Sequence, residues 1–376
     1  VNQQFRRVSI VGTGSFLPND PIPNNRIDEI LGPLNDAPPR IQAFVKNIAS
    51  RMLENSGVER RHFAIDPETH RLTHTIASLA EEPARAALEH AGRKPEDVEL
   101  LLLSAPNYDQ TTPPTSAILQ ERLGIECCAE MDIHANCSGV GKCMQIAFDA
   151  LRTGRYKTAL VAYANLSSVY LRSCYFNQAL MNKNQAALRY ILADGSGAVL
   201  LEATGSADDG PVPHELLGTY VESVGGKSPP GMTTGGGVTD LIDVENQIPA
   251  VFERGSHHLD QDFFAVNRDA GRLLFEGVVR MVETLQLDSA KIDCIIASIP
   301  TKQLYDNNIE RFMQHFGIRR DQAKFRASHT GYCGGASLLL HFDEMVRSGE
   351  IQPGQTVIVH SVESSKWMTA GFAVRW

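Results

Sequence analysis

The stretch CAEMDIHANCSGVGKCMQIAFDALR, residues 128–152, reads as a strand, a tight turn and a helix in immediate succession. Residues 128–133 form the strand, and Val140, Met144, Ala147 and Leu151 recur at the three- and four-residue spacings of one helix face. Between them, HANCSGV places Cys137 on the strand-to-helix turn. A thiol there faces the free N–H groups and the positive end of the helix dipole. That position is expected to lower its pKa and to offer amides to an oxyanion formed on an attacked thioester.

Outward from this unit the same alternation repeats. Strands are expected at 8–13, 99–104, 158–164 and 198–202, with helices at 75–92 and 114–123. After a loop at 203–213 the theme restarts with a strand at 217–224 and a Gly/Pro-rich flap at 225–237. Helices at 267–285, 307–316 and 335–348 follow, with strands at 294–298, 356–360 and 371–376. Strands that are apolar on both faces and alternate with helices predict a layered α/β sandwich around a buried, largely parallel sheet. The two stretches of similar order suggest duplicated halves, 1–210 and 211–376, with the boundary near 203–215.

Composition agrees with an ordinary globular protein. The chain has 376 residues, 43% hydrophobic and 21% charged, which excludes a disordered chain, a coiled coil and a small disulfide-stapled scaffold. A net charge of −9 argues against nucleic acid or an anionic membrane as the main partner. No run approaches the ~20 apolar residues of a membrane span, and residues 1–7 lead into VSIVG without a cleavable apolar segment, so a soluble cytoplasmic protein is expected. The seven cysteines are scattered and lack zinc-ligand spacing. Six are expected to be packing residues, and no metal site is expected.

Several pieces together carry a family resemblance: VGTGSFLP near the start, SGVERRHFA at 56–64, ANCSG at the nucleophile turn, ADGSGAVL at 193–200 and the terminal GFAVRW. In this order they resemble the β-ketoacyl-acyl-carrier-protein synthase III family. GSFLPNDPIPNN and RLTHT at 71–75 are also similar to relatives that condense acyl chains in dialkylresorcinol-type metabolism. The resemblance implies a thiolase fold, a layered αβαβα sandwich of two α/β halves, and a homodimer. It further implies that an acyl thioester of coenzyme A or an acyl carrier protein acylates Cys137, with phosphopantetheine entering as substrate and no resident cofactor. The acyl group would then pass to a carbon nucleophile by Claisen-type condensation. The alternatives are transfer to an oxygen or nitrogen acceptor, and a non-catalytic partner of a homologous synthase.

The sequence departs from the family at two polar positions. Thr301, in SIPTKQL, stands where the family has His, and Tyr332, in GYCGGAS, stands where it has Asn; both are assigned to substrate binding. Decarboxylative condensation draws on two donors at the malonyl carbonyl, and losing one costs about 10²–10³ in rate. His329 resembles the His-x-Gly turn of a subgroup that acylates oxygen nucleophiles, and is assigned as general base. That subgroup has an Asp five residues later, where this chain has Gly334. Glu363 is the substitute orienting acid. The oxyanion donors are the backbone amides of Cys137 and Ser365. Arg268, Arg272 and Lys302 are candidates for carrier binding on an otherwise acidic protein.

Other features are read as structural. VGTGS lacks the third glycine and the acidic partner of a dinucleotide-binding turn. His257-His258 is expected in an exposed surface loop, His134 either as a group tuning the Cys137 thiolate or as a buried hydrogen-bonded residue, and Asp194 as a turn-former bonding backbone amides.

Overall fold

The computed structural model describes residues 5–206, 210–242 and 247–376. Residues 207–209 of the expected boundary segment, and 243–246 beyond the flap, therefore lie outside the described residues. Nine strands build one sheet: β1 (Arg6–Phe16), β2 (Leu100–Ala105), β3 (Ala129–His134), β4 (Thr158–Asn165), β5 (Gly195–Ser206), β6 (Glu215–Ser223), β7 (Ile292–Ala297), β8 (Thr356–Glu363) and β9 (Met368–Arg375). Their order is β7-β8-β9-β6-β1-β5-β4-β2-β3. On one side β1, β5 and β4 run antiparallel in turn, and β2 and β3 then continue parallel to β4. On the other side β6, β9 and β8 are antiparallel in turn, and β7 is parallel to β8. The same sequence of directions thus appears twice, joined where Ser9 pairs with Glu215.

The expected largely parallel sheet is corrected to a mixed one, because the chain returns through adjacent strands at β8–β9 and closes each half with antiparallel neighbours. The strands are apolar on both faces because helices cover both. Those helices are α1 (Pro39–Ser56), α2 (Ile76–Ala91), α3 (Thr115–Leu123), α4 (Gly139–Arg152), α5 (Phe263–Thr284), α6 (Lys302–Phe316) and α7 (Ala336–Arg347). Leu100 and Leu102 share a core with Val140 and Met144 of α4 and with Leu339 and Phe342 of α7, a core that also takes in Val357 and Phe372 from the far side of the sheet. Leu101 and Leu103 point the other way, into a core with Leu79 of α2 and Leu119 of α3. Leu274 of α5 and Phe312 of α6 pack on Ile295 and Ile358. The period-two alternation of strands therefore sorts side chains between a shared middle helical layer and two outer ones, giving αβαβα.

Segment 34–55 is largely helix α1. Ile41, Val45, Ala49 and Leu53 repeat every four residues on its inward side, Pro39 opens it and Gly57, at φ 66°, ends it.

Asp194 is fully buried and accepts hydrogen bonds from Ala64 N at 2.8 Å and Ser168 N at 2.9 Å, tying two loops beside the middle layer. Burial raises its pKa from 3.8 to about 6. The folded chain thus holds this proton more tightly than the unfolded chain. The resulting stabilisation is complete below pH 3.8 and is lost as pH rises through about 6. In Asp194→Asn, with no titration there, the stability of wild type relative to the variant should fall between pH 4 and 7 in denaturant titrations. Parallel curves would contradict the assignment.

Candidate active site

Cys137 lies between β3 and α4, as its turn motif predicts. Three contacts pin the turn: Tyr163 Oη donates to Asn136 O at 3.0 Å, Ser361 Oγ to Cys137 O at 2.7 Å, and Ser138 N to Glu363 Oε2 at 3.0 Å. Glycine is needed beside it. A Cβ on Gly139 would stand 2.1 Å from Ser104 Oγ, and one on Gly335 2.7 Å from the Tyr163 ring. The starts of α4 and α7 thereby close on a single buried tyrosine.

The turn borders a cavity of about 660 Å³. Leu192, Leu259, Phe263 and Leu274 give it apolar walls, and Met52 and Asn55 of α1 close one side. Met232 and Thr233 of the flap also reach it, held by pairing with Asp260 and Gln261. From the segment after β4, Tyr170, Ile191 and Leu192 line the cavity.

The nearest polar partner of the thiol is Tyr332, whose Oη stands 3.1 Å from Cys137 Sγ. Burial drives the Tyr332 phenol well above its ordinary pKa, so it stays protonated and is the natural donor. The expected low thiol pKa is overturned. Burial pushes Cys137 up to about 12, the Tyr332 hydrogen bond pulling down and the nearby Glu363 charge adding to the rise. At pH 7 the thiolate fraction is then on the order of 10⁻⁵. Brief treatment with iodoacetamide at pH 7 should therefore label the exposed Cys127 and Cys174 before Cys137. Labelling of Cys137 should climb about tenfold per pH unit toward pH 12. Early labelling of Cys137 on peptide maps would contradict this electrostatic account.

The structure separates His329 from this site. Its side chain is 70% exposed, with Nδ1 3.7 Å from Glu59 Oε2, and it is not among the cavity residues. The assignment of His329 as base, and of Glu363 as its orienting acid, is corrected accordingly. Glu363 is buried in the cavity wall, where Oε2 accepts from Ser138 N and, at 2.5 Å, from Ser138 Oγ, while Oε1 accepts from Ser365 Oγ. Cys137 and Ser365 both border the cavity. Thr301 does so too, but its Oγ1 caps α6 by accepting from Leu304 N at 3.2 Å.

The three candidate carrier-binding cations are exposed and already paired. Arg268 meets Asp269 at 2.6 Å, Arg272 meets Glu276 at 3.0 Å and Lys302 meets Asp306 at 2.5 Å. Lys302 borders a small recess with Asn55 and Asn307, and Asn267 and Ala270, on the same helix as the two arginines, line the main cavity.

Three smaller expectations change. His258 is buried, its Nε2 accepting from Asn177 N at 2.9 Å, so the His-His segment is not an exposed loop. His134 is exposed at the cavity rim instead of buried. Cys127 and Cys174 are exposed, whereas Cys143, Cys294 and Cys333 are packing residues.

Comparison with known proteins places these features. Residues 131–219 match the family described as 3-oxoacyl-[acyl-carrier-protein] synthase III, and residues 282–376 match its C-terminal family. A β-ketoacyl-[acyl-carrier-protein] synthase III of Neisseria meningitidis serogroup C is 26% identical over 363 residues, covering 96% of each chain. Among solved structures, the tetronic acid condensing enzyme AbyA1 superposes with a TM-score of 0.75 at 23% identity, covering 98% of this chain and 100% of that one. The 3-oxoacyl-(acyl carrier protein) synthase III of Pseudomonas aeruginosa PAO1 gives 0.76 at 19% identity, covering 99% and 98%.

Proposed function

We propose, for a chain that belongs to the β-ketoacyl-acyl-carrier-protein synthase III-like family of the thiolase superfamily, that Cys137 accepts an acyl group from a thioester and passes it to a carbon nucleophile by Claisen-type condensation. The chain is an acyltransferase of thiolase fold. The donor is the phosphopantetheine thioester of coenzyme A or of an acyl carrier protein, as the names of the relatives suggest. The observation that carries the reading is Cys137 Sγ, hydrogen-bonded to Tyr332 on the wall of an apolar cavity. At about 660 Å³ the cavity suits an apolar acyl chain.

With its pKa near 12, the thiol has to lose its proton as the carbon–sulfur bond forms. Tyr332 supports that step by donating to the sulfur as charge develops, and the amides of Cys137 and Ser365 are the candidate oxyanion donors. Arg268, Arg272 and Lys302 serve the phosphates or acidic groups of the donor by exchanging their present partners. Exposed ion pairs contribute only about 0.2–1 kcal/mol, so such exchange is cheap. A homodimer and a cytoplasmic location belong to the same proposal. The described residues contain no helix long and apolar enough to cross a membrane.

A second reading is transfer to an oxygen or nitrogen acceptor. The replacement of the family's His and Asn by Thr301 and Tyr332 favours it. Intact-mass analysis after incubation with acyl-CoA should show one acyl adduct mapping to Cys137, and the product's mass should show which bond forms. No adduct with CoA or carrier donors would overturn the enzymatic reading and leave that of a non-catalytic partner subunit.

A further inference from the structure

Among its described lining residues, the cavity around Cys137 carries a buried carboxylate and no lysine or arginine. Of those residues Glu363 is the single carboxylate, and the one imidazole is His134 at the exposed rim. Glu363 is 2% exposed. Its three donors, Ser138 N, Ser138 Oγ and Ser365 Oγ, occupy three of the four or so lone-pair sites of a carboxylate, and one site on Oε1 remains. Ser138 is bonded directly to Cys137, and the Glu363 charge bears on the Cys137 thiol. A second carboxylate in this cavity would meet like charge at low dielectric with no counter-ion to offset it.

We propose that Glu363 is the proton acceptor of the second half-reaction and that the acceptor is an uncarboxylated acyl thioester, not a malonyl one. The inference rests on acylation of Cys137 as proposed above. Glu363 takes a proton from the carbon adjacent to the acceptor's thioester carbonyl. The electron pair left on that carbon bonds to the carbonyl carbon of the Cys137-bound acyl group. The carbon–sulfur bond to Cys137 breaks, the sulfur leaves as a thiolate that accepts from Tyr332, and the proton passes from Glu363 to that sulfur. Every atom of both acyl groups is retained except this proton. No carbon dioxide forms and no further reactant is consumed.

The test begins with wild-type enzyme loaded with a decanoyl group from decanoyl-CoA, freed of CoA and checked by intact mass. The loaded enzyme is then offered octanoyl-CoA or malonyl-CoA. Octanoyl-CoA should discharge the adduct to a branched β-ketoacyl-CoA identified by mass, and malonyl-CoA should release no carbon dioxide. Glu363→Gln, its folding checked by circular dichroism and a thermal melt, should still form the adduct and, compared with wild-type protein carrying the same amount of adduct, should discharge about 10²–10⁴-fold more slowly. Carbon dioxide release from malonyl-CoA at a rate matching adduct loss would overturn the proposal, as would unchanged discharge in Glu363→Gln. Discharge by neither thioester would overturn the assigned acceptor class while leaving the adduct, and hence the acylation reading, standing.

Discussion

Cys137→Ala is expected to abolish the acyl adduct completely while leaving the fold intact. The turn is held by the Asn136 and Cys137 carbonyls and the Ser138 amide, none of which the substitution removes. Only the thiol and its contact with Tyr332 are lost. Buried Cys143, Cys294 and Cys333 cannot replace it, because burial raises their pKa values as well and none borders the cavity. Intact-mass spectra of wild type and variant after the same exposure to acyl-CoA decide the matter. A stoichiometric adduct persisting in the variant would move the nucleophile elsewhere.

The second large effect is expected at Tyr332. Tyr332→Phe keeps the ring and the backbone, including the bond from Ala193 N to Tyr332 O at 2.9 Å, and removes only the hydroxyl beside Cys137 Sγ. Losing a preorganised donor of this kind costs about 10²–10³ in rate, so single-turnover acylation of Cys137 should slow by that factor. The same hydrogen bond lowers the thiol pKa against burial, so the alkylation profile of Cys137 should move to higher pH than in wild type. Acylation within threefold of wild type, with an unmoved profile, would show that the contact is incidental.

Much of the fold was legible because apolar spacing reports local structure directly. The alternation Leu100–Leu103 marks a strand buried on both faces, and Val140, Met144, Ala147 and Leu151 mark a helix face. The helix at 39–56 carried the same signal in Ile41, Val45, Ala49 and Leu53, hidden behind the turn-rich residues that precede it. Strand direction was less legible, since an apolar strand covered by helices on both sides looks the same whether its neighbours are parallel or antiparallel. At the site, the strand-turn-helix pattern locates Cys137 but does not report its pKa, which burial and the charge of Glu363, 226 residues away in sequence, raise.

The sequence by itself determined the layered α/β architecture and the place of Cys137 on its strand-to-helix turn, because both are written in short-range periodicity and in one turn. Only the tertiary structure decided between His329 and Tyr332, which are three residues apart on one loop. Backbone amides of Glu59 and Arg60 hold Ser328 O at 2.8 and 3.2 Å on one side. Gly331, at φ 73°, turns the chain, and Ala193 N fixes Tyr332 O on the other side. That turn leaves the imidazole facing Glu59 at the surface and carries the phenol to the thiol. A left-handed glycine pinned at both flanks by distant strands and loops sets which side chain points inward, and such long-range contacts leave no local periodicity to read.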